Sequence, residues 1–104
     1  MLNRAWRQPM TNSDEKPQRS GWIDSDISDY ETRRLHGQPL FDEAGLSPGA
    51  VANKLGISRQ AVHDAINRGK LKAIRILEPH NNNLLAILIP HSEFLRYRIA
   101  RNHR

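Results

Sequence analysis

The sequence predicts a small α+β domain, mainly α with a small β-hairpin, behind a largely disordered N-terminal tail, and three features of the chain indicate it. Residues 46–71, LSPGAVANKLGISRQAVHDAINRGKL, carry the caps and apolar spacing of two short helices separated by a tight turn. Residues 71–77 and 84–89 are aliphatic runs on either side of the polar cluster EPHNNN, the pattern of two strands and their turn. Residues 1–20 contain Pro9 and Pro17 and show no apolar period, so they bury too little to offset the entropy of ordering.

Taken in order, residues 1–39 are expected to be a disordered or loosely ordered tail. Trp6 and Trp22 are read as loosely held aromatics in it, each able to dock on a partner or on the domain. Between Gly21 and Gly37 the acids Asp24, Asp26, Asp29 and Glu31 precede Arg33 and Arg34. Asp24, Ser25 or Asp26 can cap a short helix with Ile27, Tyr30 and Leu35 near one face. Helical propensity is modest, and a solvated acidic linker is expected; the sharper alternative is a segment lying across the basic domain and competing with a nucleic acid. Gly37 to Gly45, with Pro39, leads into a folded domain spanning 40–104, with Leu40 and Phe41 as core anchors.

Ser47 supplies an acceptor for orphan amides and Pro48 a preset helical φ, so a helix begins there and stops at Gly56. Ser58 caps a second helix whose Ala61, Val62, Ala65 and Ile66 form one stripe, ended by Gly69. Val51 and Leu55 face this stripe, and Ala52 is small enough for the two helices to cross closely. Two strands follow, joined through Glu78–Asn83. Pro90, His91 and Ser92 open a last helix with Phe94, Leu95 and Ile99 toward the core and Arg96, Arg98, Arg101 and Arg104 on its other face.

Composition narrows the function. The chain has 104 residues, 38% of them hydrophobic, and no cysteine. A single small domain is all it can build, and neither disulfides nor thiolate metal sites are available. No apolar run reaches a membrane-spanning length and no secretory signal is visible, so a cytoplasmic, non-membrane protein is expected. Net charge is +5, unevenly placed: residues 1–45 carry six Lys and Arg against eight acids, residues 46–104 ten against three. A compact basic domain attracts polyanions, nucleic acid foremost. His36, His63, His80, His91 and His103 are widely spaced, and no phosphate loop, dinucleotide fingerprint or nucleophile elbow occurs. No metal, no cofactor and no catalytic role are expected.

A helix pair, a hairpin and a further helix are the parts of a winged helix-turn-helix. Residues 46–95 resemble the DNA-binding domain shared by phage excisionases and MerR-like regulators. The matching pieces are VANKLGIS (51–58), SRQAV (58–62), RGKL (68–71) and IPHSEFL (89–95). The chain departs from the family in having His63 where many members have an aromatic, and an asparagine-rich wing turn without glycine. MerR-type regulators append a dimerisation helix and an effector domain, for which no counterpart is expected, so the small excisionase-like proteins are the nearer likeness.

The resemblance implies that the second helix enters a major groove. Base contacts are then expected from Arg59, Gln60, His63 and Asn67, led by the bidentate pairs Arg59 can make with guanine and Gln60 with adenine. Phosphate contacts are expected from Ser58, Lys54, Arg68, Lys70, Lys72 and Arg75, and Asn81, Asn82 and Asn83 form the wing tip, where turn chemistry explains asparagine equally well. Asp64 is read as structural. The expected function is sequence-specific binding of double-stranded DNA, as a transcriptional regulator or recombination accessory factor, with a homodimer or cooperative assembly on DNA and a recombinase or polymerase as further partners. The alternative is a protein-interaction or assembly module of the same fold, with only nonspecific DNA binding.

Overall fold

The computed structural model describes residues 19–102. The expected tail up to residue 18, Trp6 included, and the last two residues, His103 and Arg104, lie outside them. Among the described residues the elements are β1 (Trp22–Asp26), α1 (Ile27–Leu35), β2 (Gly45–Leu46), α2 (Pro48–Leu55), α3 (Arg59–Asn67), β3 (Ala73–Leu77), β4 (Leu84–Pro90) and α4 (His91–Asn102).

The helix pair forms for the reasons its punctuation suggests. Ser47 Oγ accepts the Ala50 N–H at 3.1 Å, and Pro48 opens α2. Gly56 closes α2 in the left-handed region at φ 69°, a conformation that costs glycine nothing. Ser58 Oγ then accepts the Ala61 N–H at 3.0 Å to start α3. Val51, Ala52, Val62, Ala65 and Ile66 are all buried in one cluster with Leu71, Ala73, Ile89 and Phe94.

The hairpin also forms. β3 and β4 run antiparallel, with Ile74 opposite Leu88 and Ile76 opposite Ala86, and a register shift then places Leu77 opposite Leu84. In the turn, Asn81 Oδ1 accepts the Asn83 N–H at 3.1 Å, and Asn82 occupies φ 59°, which asparagine tolerates better than most residues. Turn chemistry therefore accounts for two of the three asparagines.

The segment before residue 40 overturns the linker expectation. It forms β1 and α1, and the sheet has four strands in the order β1-β3-β4-β2 rather than two. β1 lies parallel to β3, with Trp22 opposite Ala73 and Asp24 opposite Arg75. Gly21 makes this possible: its N–H donates to the Ile66 carbonyl at 2.7 Å and its own carbonyl accepts the Ala73 N–H at 3.0 Å. A Cβ on Gly21 would sit 2.0 Å from the Leu71 carbonyl oxygen, so only glycine fits. Of the three possible caps, Asp26 is the one used, its Oδ1 accepting the Asp29 N–H at 2.8 Å.

The alternation of β1 separates two cores. Trp22 packs with the α2–α3–α4 cluster on one face of the sheet. Ile23 packs on the other face with Tyr30, Phe41, Ile74 and Ile76, against α1. Phe41 is thus the anchor expected, with Leu40 partly buried beside it. Leu35 and Ile99 are not core residues; they are 85% and 58% exposed. On α4 the residues packed on the core are Phe94, Leu95 and Tyr97, and Ile99 falls on the face of the helix away from Phe94 and Tyr97.

Candidate nucleic-acid interface

The apolar stripe of α3 faces the sheet, which leaves Arg59 and Gln60 exposed at its capped N-terminal end. Gln60 Nε2 donates to Asp64 Oδ1 at 3.1 Å. Asp64 is thereby explained as the residue that orients Gln60, and the amide keeps one N–H and its carbonyl oxygen for another partner. The Arg59 guanidinium lies over α2, where a Cβ on Gly49 would be 3.2 Å from its Nε. Arg59 and His63, with Ser47 and Pro48, line a groove of about 530 Å³ against Leu84–Leu88 of β4.

Further along α3 the candidates are held by β1. The His63 ring lies 5.8 Å from Trp22 in a tilted arrangement. Asn67 Oδ1 accepts the Trp22 Nε1–H at 2.7 Å. Arg75 stacks over the same indole at 4.6 Å and pairs with Asp24, Nε to Oδ1, at 2.7 Å. Trp22 therefore gathers three residues expected to meet DNA into an intramolecular cluster. His63, Asn67 and Arg75 have protein partners, whereas Arg59 and Gln60 present free hydrogen-bonding capacity. Ser58 is spent as a cap, with its helix-end amides beside it.

The remaining cations surround α3. Lys54 lies in the last turn of α2, and Arg68, Lys70 and Lys72 follow α3, all exposed. Their neighbourhood is tied to α4 through Glu93, a buried acid. Its Oε1 accepts the Lys72 backbone N–H at 3.0 Å and the Arg96 Nη2–H at 2.7 Å. Burial pushes the Glu93 carboxyl up, but the bonds from Arg96 and Lys72 and their charges outweigh it, leaving its pKa below the ordinary value. The hydrogen bond to Glu93 raises Arg96 in turn, against a smaller opposing effect of burial. Arg96 Nη2 also donates to the Lys70 carbonyl at 2.9 Å. A second groove of about 550 Å³ results, lined by Lys70, Arg96, Tyr97, Ala100 and Arg101.

Two features of the site are not legible in the sequence. Trp22 reads there as part of the tail, because its contact with α3 is non-local and only the alternation of five residues in β1 hints at a strand. The Glu93 network is hidden because its acceptor role is toward a backbone N–H, which no side-chain pattern encodes. Among the described residues no group of three or more His, Asp or Glu is placed to hold a metal ion, and no helix is long and apolar enough to cross a membrane. Comparison with protein-family models, with curated proteins and with solved structures finds no match.

Proposed function

We propose that the protein binds double-stranded DNA sequence-specifically, with α2 and α3 as a helix-turn-helix and the β3–β4 hairpin as its wing. The observation that carries this reading is the N-terminal end of α3: Arg59 and Gln60 are exposed side by side on a capped helix, Gln60 already oriented by Asp64. They stand on the half of the chain that holds all the excess positive charge. In this reading Arg59 and Gln60 read base edges, each bidentate pair giving about 1–3 kcal/mol of discrimination. His63 and Asn67 support α3 through Trp22, and Lys54, Arg68, Lys70 and Lys72 meet phosphates. The excisionase likeness makes a transcriptional regulator or a recombination accessory factor the role, in the cytoplasm on DNA.

Selection of bound duplexes from a random library tests it, comparing the native protein with Arg59→Ala/Gln60→Ala. An enriched motif that the double variant loses is the expected result. A motif and affinity that survive the substitutions would remove α3 from the role of reader.

One observation favours a second reading, an assembly module. β2 pairs only with Ile89 and Pro90 of β4, so among the described residues the outer edge of Leu84–Leu88 is unpaired, and Leu84 and Leu85 are 53% and 51% exposed. An apolar edge without a charged residue is a template for strand addition. Leu85→Lys distinguishes the readings: if assembly is the function, this charge abolishes oligomers in sedimentation, and if DNA binding is, the selected motif persists in the variant.

A further inference from the structure

The two ends of α3 differ in what surrounds them. At its N-terminal end are Ser58 and Arg59; just past its C-terminal end is the groove between Lys70 and α4. Lys70 reaches that place because its N–H donates to the Ala65 carbonyl at 2.9 Å as the chain leaves the helix. α4 is held beside it by Arg96, whose guanidinium bridges Glu93 and the Lys70 carbonyl. Glu93 neutralises Arg96, so the charge left in the groove belongs to Lys70 and Arg101. Among the described residues neither has a carboxylate partner. Arg101 lies over Tyr97 in the wall of the groove, its guanidinium carbon 5.9 Å from the ring centroid.

We propose that this groove is a binding site for the phosphodiester backbone of the duplex, with Lys70 and Arg101 as its cations and Arg96 as the positioning residue that holds α4 against the α3–β3 connection. The inference rests on the DNA-binding reading above and extends it to α4. Nine residues of helix span about 13 Å at 1.5 Å per residue. A major groove is about 12 Å wide. Set across the groove, a helix of that length brings one sugar–phosphate strand to each of its ends. The Ser58 end offers capped-helix amides to one strand, and the α4 groove offers two unneutralised cations to the other. The arginines of α4 are then more than a solvated face: Arg101 binds and Arg96 positions.

The test is the salt dependence of duplex binding for the native protein, for Lys70→Ala/Arg101→Ala, and for Arg34→Ala as a control on α1. Each phosphate that is no longer neutralised lowers the slope of log affinity against log salt by about 0.9, so the slope of the double variant should be shallower by about 1.8. Between 50 and 200 mM salt its affinity should therefore fall about twelvefold less than that of the native protein. Its selected sequence motif should not change, and Arg34→Ala should leave the slope as it is. A native slope in the double variant, with thermal unfolding unchanged, would overturn the α4 assignment while leaving the α3 reading intact. Loss of the motif with the slope retained would place Lys70 and Arg101 among the base readers and overturn it too. Absence of duplex binding by the native protein at low salt would refute both. Inorganic phosphate supplies the last arm: chemical-shift changes at Lys70 and Arg101 that duplex does not displace would make the groove a site for free anions instead.

Discussion

Replacing Glu93 by alanine strikes at a buried acid that joins α4 to the connection after α3. The substitution leaves the Lys72 N–H, which Glu93 Oε1 accepts at 3.0 Å, without a partner and frees Arg96 from its 2.7 Å bond. A fully buried donor left unpaired costs about 1–3 kcal/mol; the Lys72 N–H is part-buried on an exposed residue, which places it in the lower part of that range, and the half-exposed side of the Arg96 pair adds under about 1 kcal/mol. A loss of about 1–3 kcal/mol corresponds to a fall in Tm of roughly 4–24 °C in a domain of this size. Glu93→Gln refines the test, since the amide keeps an acceptor for Lys72 and removes only the charge. The folded pKa of Glu93 lies below its ordinary value, so its ionised form contributes stability that is fully present above that ordinary value. The contribution is lost as pH falls through the folded pKa. The Tm difference between native protein and Glu93→Gln should be largest at neutral pH and shrink in acid. A gap that is independent of pH, or an alanine variant within about 0.5 kcal/mol of native, would refute this account of the junction.

Two further outcomes bear on β1. Gly21→Ala forces a Cβ to within 2.0 Å of the Leu71 carbonyl oxygen and should destabilise by at least about 1–3 kcal/mol, read as a lower urea midpoint. Trp22→Phe keeps an aromatic beside His63 but removes the 2.7 Å bond to Asn67; a loss of about 1 kcal/mol, or roughly 4–8 °C in Tm, is expected by calorimetry.

The helix pair is legible in the sequence because its determinants are local. Ser47, Pro48, Gly56, Ser58 and Gly69 each act within a few residues of where they stand, and the apolar stripe of α3 repeats at helical spacing. The hairpin is legible for the same reason, its turn asparagines using their side chains on their own backbone. β1 is not: WIDSD contains three polar residues, and its reason for being a strand is β3, about fifty positions away. Ile99 shows the converse error, an apolar residue taken for core although the packed face of its helix is set by Phe94 and Tyr97.

The candidate site divides along the same line. That Arg59 and Gln60 begin a capped helix on a basic domain follows from the sequence by itself, since caps, periodicity and charge are properties of neighbouring residues. Which cations remain free was decided only in three dimensions. Arg75 is paired by Asp24 across parallel strands, His63 and Asn67 are held beside Trp22, and Lys70 and Arg101 line one groove beside the Glu93–Arg96 junction. A side chain's availability depends on who lies beside it, and long-range pairing of strands and packing of helices set those neighbours.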